Sequence, residues 1–172
     1  MPRHIAASQH AACSDQSLVS ASTLIVHVGY GLPRAGLPAA SSFRRWVTAA
    51  LAGTRYRRPT EISIRLVDEA EGRDLNRTYR GKGYATNVLS FPAESPPGIQ
   101  LALLGDIALC APVVLREAHE QSKRPRDHFA HLTVHGVLHL LGMDHQTSTE
   151  AVHMEALEVR ILAGLGIPDP YR

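Results

Sequence analysis

Lysine is almost missing from this chain. Of its 18 basic residues only Lys82 and Lys123 are lysine, and the rest are arginine. Aromatic residues are scarce too, with one Trp, five Tyr and three Phe in 172 residues. That is too few for a long groove that binds single strands by stacking alone. The two cysteines, Cys13 and Cys110, lie far apart and form no CxxC pair. They exclude a cysteine metal cluster and argue against a disulfide, so a reduced, cytoplasmic setting is expected. No run of about 18 apolar residues is present, so no membrane span is expected. The opening stretch, MPRHIAASQHAACSDQSLVSAS, has no continuous apolar core of about 7–15 residues of the kind a secretory signal needs. Its Ala, Ser and Gln content predicts a flexible extension over 1–22, with His4 and His10 at the surface. One domain is expected over 23–172, long enough to bury a core without covalent staples.

The net charge is only +2, yet the basic residues gather in clumps. Arg55, Arg57 and Arg58 form one, Arg77, Arg80 and Lys82 a second, and Lys123, Arg124 and Arg126 a third. Arginine's planar fork suits phosphate, although a solvated surface accounts equally for any single clump.

The β-branched run TLIVHV (23–28) predicts a strand, followed by a Gly- and Pro-rich loop over 29–38. SSFRRWVTAALAGT then predicts a short amphipathic helix, capped by serine and closed by glycine. In EISIRLVD, Ile62, Ile64 and Leu66 alternate with polar residues, as in a half-buried strand. Asp68 and Glu71 have the spacing of a capping box opening a helix through about Tyr79, which RGKG breaks. TNVLSFP (86–92) and LALLGDIALC (101–110) predict two more strands, and APVVLREAHEQSK a helix with proline in its first turn. A long helix is expected from about Pro125 to Leu141. Thr147 and Glu150 form a second capping-box pattern, before a helix carrying Met154, Leu157, Ile161 and Leu165. The order is too irregular for a strict βαβ array. It predicts a single α+β domain of about four strands and five helices, with no internal repeat.

The stretch HGVLHLLGMDH occupies residues 135 to 145. His128, His131, His135 and His139 are spaced three, four and four, so a helix places them on one face. His135 and His139 sit one turn apart and can aim at a common point, like the i, i+4 ligand pair of zinc hydrolases. His145 would leave that face if the helix continued. Gly142 can end the helix in a left-handed turn and bring His145 back as a third ligand. Three imidazoles with one position open suit a catalytic zinc, whereas a structural zinc takes four ligands. His128 and His131 are expected to be outer supports or helix surface. Asp144 either orients a ligand or caps the turn. A zinc peptidase carries a glutamate base directly after the first histidine, where Gly136 stands here. The glycine leaves either a gap beside the metal for a backbone or substrate, or room for close helix packing. Zinc can lower the pKa of bound water to about 7 without that base. A negatively charged substrate then needs a cation more than a carboxylate.

Together with LNRTYRGKGYATNVLSFP, LLGDIAL, MEALE and LGIPDPY, this stretch closely resembles the YbeY family of bacterial rRNA maturation factors, regarded as single-domain zinc-binding endoribonucleases. The resemblance covers about residues 60 to 171, more weakly from 24, and leaves out 1–22. It implies an α+β fold with a mixed four-stranded sheet, surrounding helices, and a metal site on the long helix and its following turn. The family's three histidines fall on His135, His139 and His145, for one Zn²⁺ per chain, and its functionally important arginine falls on Arg80. Gly83 and Ala85 depart from the family pattern of an acidic residue and then proline, and Met143 stands where tyrosine is common.

Around Arg80, the residues Tyr79, Lys82 and Tyr84 make a basic loop interleaved with aromatics. Such a loop can pair with phosphate and stack on an unpaired base, or be a plain helix-to-strand turn. Arg80 suits charge stabilisation at a phosphoryl centre, and Lys82 suits substrate binding. The leading expectation is a zinc-dependent endoribonuclease for single-strand-type RNA, acting at the 16S rRNA 3′ end and in ribosome quality control. Its expected partners are the small ribosomal subunit and ribosomal or assembly proteins, with no membrane. The alternatives are a zinc peptidase or amide hydrolase, which Gly136 disfavours, and a noncatalytic ribosome-assembly factor whose metal only holds the turn.

Overall fold

A computed structural model describes residues 23–99, 101–144 and 147–172. The expected extension over 1–22, with His4, His10 and Cys13, lies outside the described residues, and so does His145.

The alternation of Thr60–Val67 becomes strand β2, with Ile62, Ile64 and Leu66 at 1% exposure or less. Beside it lie β1 (Leu24–Tyr30) and β4 (Leu103–Cys110), both parallel to β2. The short strand β3 (Val88–Pro92) pairs antiparallel with β4 and forms one edge of the sheet, giving the order β1-β2-β4-β3. Five helices complete a single α+β domain: α1 (Ala40–Gly53), α2 (Glu69–Arg80), α3 (Ala111–Glu120), α4 (Pro125–Leu140) and α5 (Ser148–Gly164). The expected four-stranded mixed sheet and five helices are all present.

One sheet face carries the main core. There α4 lies over β3 and β4 and packs against α1 and α5. Phe43 meets Trp46 and Phe129 edge to face, at ring-centroid distances of 5.0 and 6.3 Å, a geometry worth about 0.5–1.5 kcal/mol per pair beyond area burial. On the other face α2 builds a smaller cluster of Leu75 and Ala85 with Val67, Cys110 and Val113. Cys110 is buried and free.

Two local expectations, the serine cap of α1 and the capping box of α2, need correction. Helix α1 starts one residue before its serines, at Ala40, and its cap Ala39 makes no side-chain hydrogen bond. Gly53, the last residue of α1, is set by packing: a Cβ there would lie 2.5 Å from Ile161 Cγ1 on α5. Asp68 caps α2 by accepting the Glu71 N–H at 2.8 Å, but the reciprocal half is missing. The Glu71 carboxylate instead accepts from Arg65 at 2.7 and 3.3 Å. The second capping box, Thr147 with Glu150, is complete. Helix α2 ends at Gly81, whose φ of 68° is left-handed, and this leaves Arg80 at the helix terminus beside β3.

Candidate active site

The four helix histidines occupy one stripe of α4, and their partners differ along it. His128 donates from Nε2 to Glu117 Oε2 on α3 at 2.8 Å. His131 donates from Nε2 to Glu158 Oε2 on α5 at 3.1 Å, with the Tyr171 hydroxyl 3.3 Å away. His135 turns its Nδ1 to Glu158 Oε1 at 2.7 Å. A carboxylate only accepts, so His135 carries its proton on Nδ1 and presents Nε2 elsewhere. That Nε2 lies 3.0 Å from Nε2 of His139, one turn further on. Gly142 then turns the chain with φ of 82°, as the glycine after the helix predicts. The third expected ligand, His145, lies outside the described residues. Among the described residues no group of three or more His, Cys, Asp or Glu side chains is placed to hold a metal ion.

The two converging imidazoles open on a cleft of about 450 Å³, also lined by Arg80, Asn87, Ser90 and Asp144. Arg80 reaches it from the end of α2, Asn87 and Ser90 from β3 and its approach, and Asp144 from the turn after α4. Arg65, Arg77, Arg116 and Arg172 each hold a carboxylate. Arg80 is paired with none among the described residues. Among the described residues its charge therefore lines the cleft outside any ion pair.

The rest of the basic, aromatic loop is arranged otherwise. Lys82 is exposed and does not line the cleft. Tyr79 packs edge-on against Phe91, centroids 4.8 Å apart, in a separate groove on the α2 side of the sheet. Tyr84 is 57% exposed, and its carbonyl accepts from the buried Asn76 side chain at 2.6 Å, which pins the loop to α2. Arg80 alone among these four reaches the histidines' cleft. Gly136 serves packing: a Cβ there would meet Ile107 Cδ1 at 3.0 Å and Ser90 Oγ at 3.2 Å. Its lack of a side chain lets α4 approach the sheet and leaves no gap beside the imidazoles.

Glu158 is the residue that sequence reasoning missed. It is 0% exposed and takes hydrogen bonds from His131, His135 and the Tyr171 hydroxyl. Burial alone would push its carboxyl up. The hydrogen bonds from His131, His135 and Tyr171 outweigh that and hold it down at about 2. Burial, and then the bond to Glu158, push the Tyr171 hydroxyl far up. A signal for Glu158 did exist. On α5 it falls four residues after Met154 and three before Ile161, so a carboxylate occupies a core position of the apolar stripe. Glu117 behaves similarly: burial raises its carboxyl, but hydrogen bonds from His128 and Asn87 prevail and lower it.

A histidine-striped helix laid over a mixed four-stranded sheet, with an arginine across the cleft, defines a compact α+β hydrolase-like architecture. The particular family is settled by the sequence. The model for the endoribonuclease YbeY family matches residues 37–166, and the chain belongs to that family. It is 62% identical over 152 residues to the endoribonuclease YbeY of Stenotrophomonas maltophilia, spanning 86% of this chain and 93% of that one. With the endoribonuclease YbeY of Alkalilimnicola ehrlichii it shares 62% identity over 141 residues, 81% of this chain and 85% of the relative. The solution structure of TM1509 from Thermotoga maritima shares the fold, with a TM-score of 0.54 at 19% identity, over 82% of this chain and 91% of that one. Among the described residues no helix is long and apolar enough to cross a membrane.

Proposed function

We propose that residues 23–172 form a zinc-dependent endoribonuclease domain that cuts single-strand-type RNA in the cytoplasm, maturing the 16S rRNA 3′ end and serving ribosome quality control. The substrate would be presented by the small ribosomal subunit with its ribosomal or assembly proteins. Family membership supports the endoribonuclease class. The observation that carries the chemistry is the convergence of Arg80, His135 and His139 on one cleft.

The donors fit zinc. Two imidazole nitrogens bound to one tetrahedral zinc at about 2.0–2.1 Å lie roughly 3.3 Å apart, close to the 3.0 Å between the two Nε2 atoms. The Glu158 bond already places the His135 proton on the opposite nitrogen. His135, His139 and His145 would hold one ion per chain. When bound, it would supply a Lewis acid for a phosphoryl oxygen and a bound water acidified to near neutral pH. The chain's own residues do the rest. Arg80 binds the scissile phosphate and balances the charge that develops on its non-bridging oxygens, a role in which loss of one such donor costs about 10²–10³ in rate. Asn87 is held by Glu117 at 3.0 and 3.2 Å and by the Val88 N–H at 2.7 Å, so it forms a fixed wall for the cleft. Asp144, in the turn after α4, either orients the neighbouring ligand or caps that turn. Gly136 argues against the peptidase alternative, because a side chain at that position would begin against Ile107 and Ser90.

The test is cleavage of a small-subunit rRNA 3′ fragment by zinc-quantified protein, alongside His139→Ala, Arg80→Ala and a mock purification that controls for contaminating nucleases. His139→Ala should lose both zinc and cleavage. Arg80→Ala should keep zinc and lose about 10²–10³-fold in rate. Equal cleavage by wild type and both variants, above the mock purification or not, would remove the assignment.

A further inference from the structure

Two motifs of the sequence, MEALE and LGIPDPY, line no part of the cleft, yet they meet behind one of its histidines, His135. MEALE supplies Glu158, and LGIPDPY supplies Tyr171. A fully buried carboxylate is costly unless its lone pairs are filled, and here both oxygens are engaged. Oε1 takes the His135 Nδ1–H at 2.7 Å, and Oε2 takes the His131 Nε2–H at 3.1 Å and the Tyr171 hydroxyl. The segment carrying Tyr171 is itself anchored. Ile167 is buried in the main core, Lys123 donates to the Pro170 carbonyl at 2.5 Å, and the Tyr171 N–H donates to Asp169 at 2.9 Å.

From this we propose that Glu158 is the positioning residue for His135, and that Tyr171 and His131 brace Glu158. The segment Ile167–Tyr171 is thereby part of the site although none of its residues lines the cleft. Glu158 does two things. As a pure acceptor it fixes the His135 tautomer, leaving the Nε2 lone pair directed at His139 and the cleft. As a rigid partner it fixes the ring's orientation. Without the carboxylate, His135 would be free to protonate on Nε2 and rotate, and the convergence of the two imidazoles would be lost. The Tyr171 hydroxyl acts one step further out by holding Oε2, so that Oε1 stays on His135. The consequence for metal affinity rests on the zinc reading. The tautomer does not.

The experiment therefore has two readouts on the full chain. The first uses metal-free protein, at a pH well above the ordinary imidazole pKa of about 6.5. Nitrogen NMR of the ring should show wild-type His135 as the Nδ1–H tautomer, and Glu158→Leu should shift it toward Nε2–H. The second is zinc affinity by competition with a chromogenic chelator. Glu158→Gln should weaken zinc about 10–100-fold, as outer partners of metal-binding histidines do, and Tyr171→Phe should weaken it by a smaller factor of about three to ten. Tyr171→Phe removes one oxygen and nothing else, so it keeps the test alive if a variant at 158 fails to fold. Wild-type His135 found as Nε2–H would overturn the proposal. So would a folded Glu158→Gln or Tyr171→Phe with unchanged zinc affinity. If wild-type protein takes up no zinc, the zinc reading falls, and the tautomer alone then decides whether Glu158 positions His135.

Discussion

The two halves of the α4 histidine stripe share residue type, helix and face, and they differ in what the neighbouring elements offer them. In the first half, His128 is 4% and His131 12% exposed, and each donates its Nε2–H to a carboxylate, Glu117 or Glu158. In the second half, His135 is 23% exposed, spends its Nδ1–H on Glu158, and turns Nε2 toward His139 at the cleft. The closed half meets α3 and α5, which bring acids. The open half meets the sheet edge and the end of α2, which bring Arg80 and empty volume. Helical spacing aligned the rings, but tertiary neighbours divided them into a structural pair and a cleft pair.

The sharpest way to break this division is to remove one ring from each half. His139→Ala should cost more than about a hundredfold in zinc affinity, beyond the range of outer-partner losses. It should barely move the urea midpoint of the metal-free protein. His128→Ala should do the reverse, destabilising the fold by about 1–3 kcal/mol because it removes a hydrogen bond to the charged, half-buried Glu117 carboxylate and leaves Asn87 to hold it. Zinc affinity and cleavage per folded molecule should stay within a small factor. If His128→Ala loses zinc as His139→Ala does, the two halves are one site and the distinction collapses.

A smaller effect is expected from acid. The Glu117 carboxyl is held below the usual carboxylate range. Its contribution to stability is thus fully present above the unfolded value of about 4.3 and is lost as pH falls through the lower folded value. His128→Ala removes the leading bond responsible. Urea unfolding at about pH 5 and about pH 3 should show a shallower acid loss in that variant than in wild type. Equal slopes would mean that Asn87, not His128, holds the carboxylate down.

How much of this was legible follows the same division. The helix, the stripe and the terminal glycine could be read because each depends on local spacing: 3.6 residues per turn aligns His135 with His139, and Gly142 needs only its own left-handed φ. The strands were legible where apolar residues alternate, as in Ile62, Ile64 and Leu66. What each histidine bonds to was not legible, since Glu117 and Glu158 arrive from helices 11 to 27 residues away in sequence. The half-made capping box at Asp68 failed for a similar reason, because Arg65 on β2 competes for Glu71. Gly136 needed the structure most. From sequence it allowed either a gap or close packing, and only the position of Ile107 and Ser90 decides for packing.

The smallest effect sharpens the comparison on the basic side. Arg80 and Lys82 are two residues apart, at the end of α2 and in the loop that follows, yet Arg80 lines the cleft and Lys82 is exposed. A cation in open solvent acts on RNA mainly through counterion release and screened long-range attraction. Lys82→Ala should accordingly raise KM a few-fold at low salt and reduce the slope of log affinity against log salt by up to about 1. The effect should fade near physiological ionic strength, where the Debye length is about 8 Å. The turnover number should hold, because no contact to the reacting phosphate is removed, whereas Arg80→Ala lowers turnover at every salt concentration. A turnover loss for Lys82→Ala that persists at high salt would place its ammonium on the substrate at the cleft, and the solvent-facing half of this loop would then have closed over bound RNA.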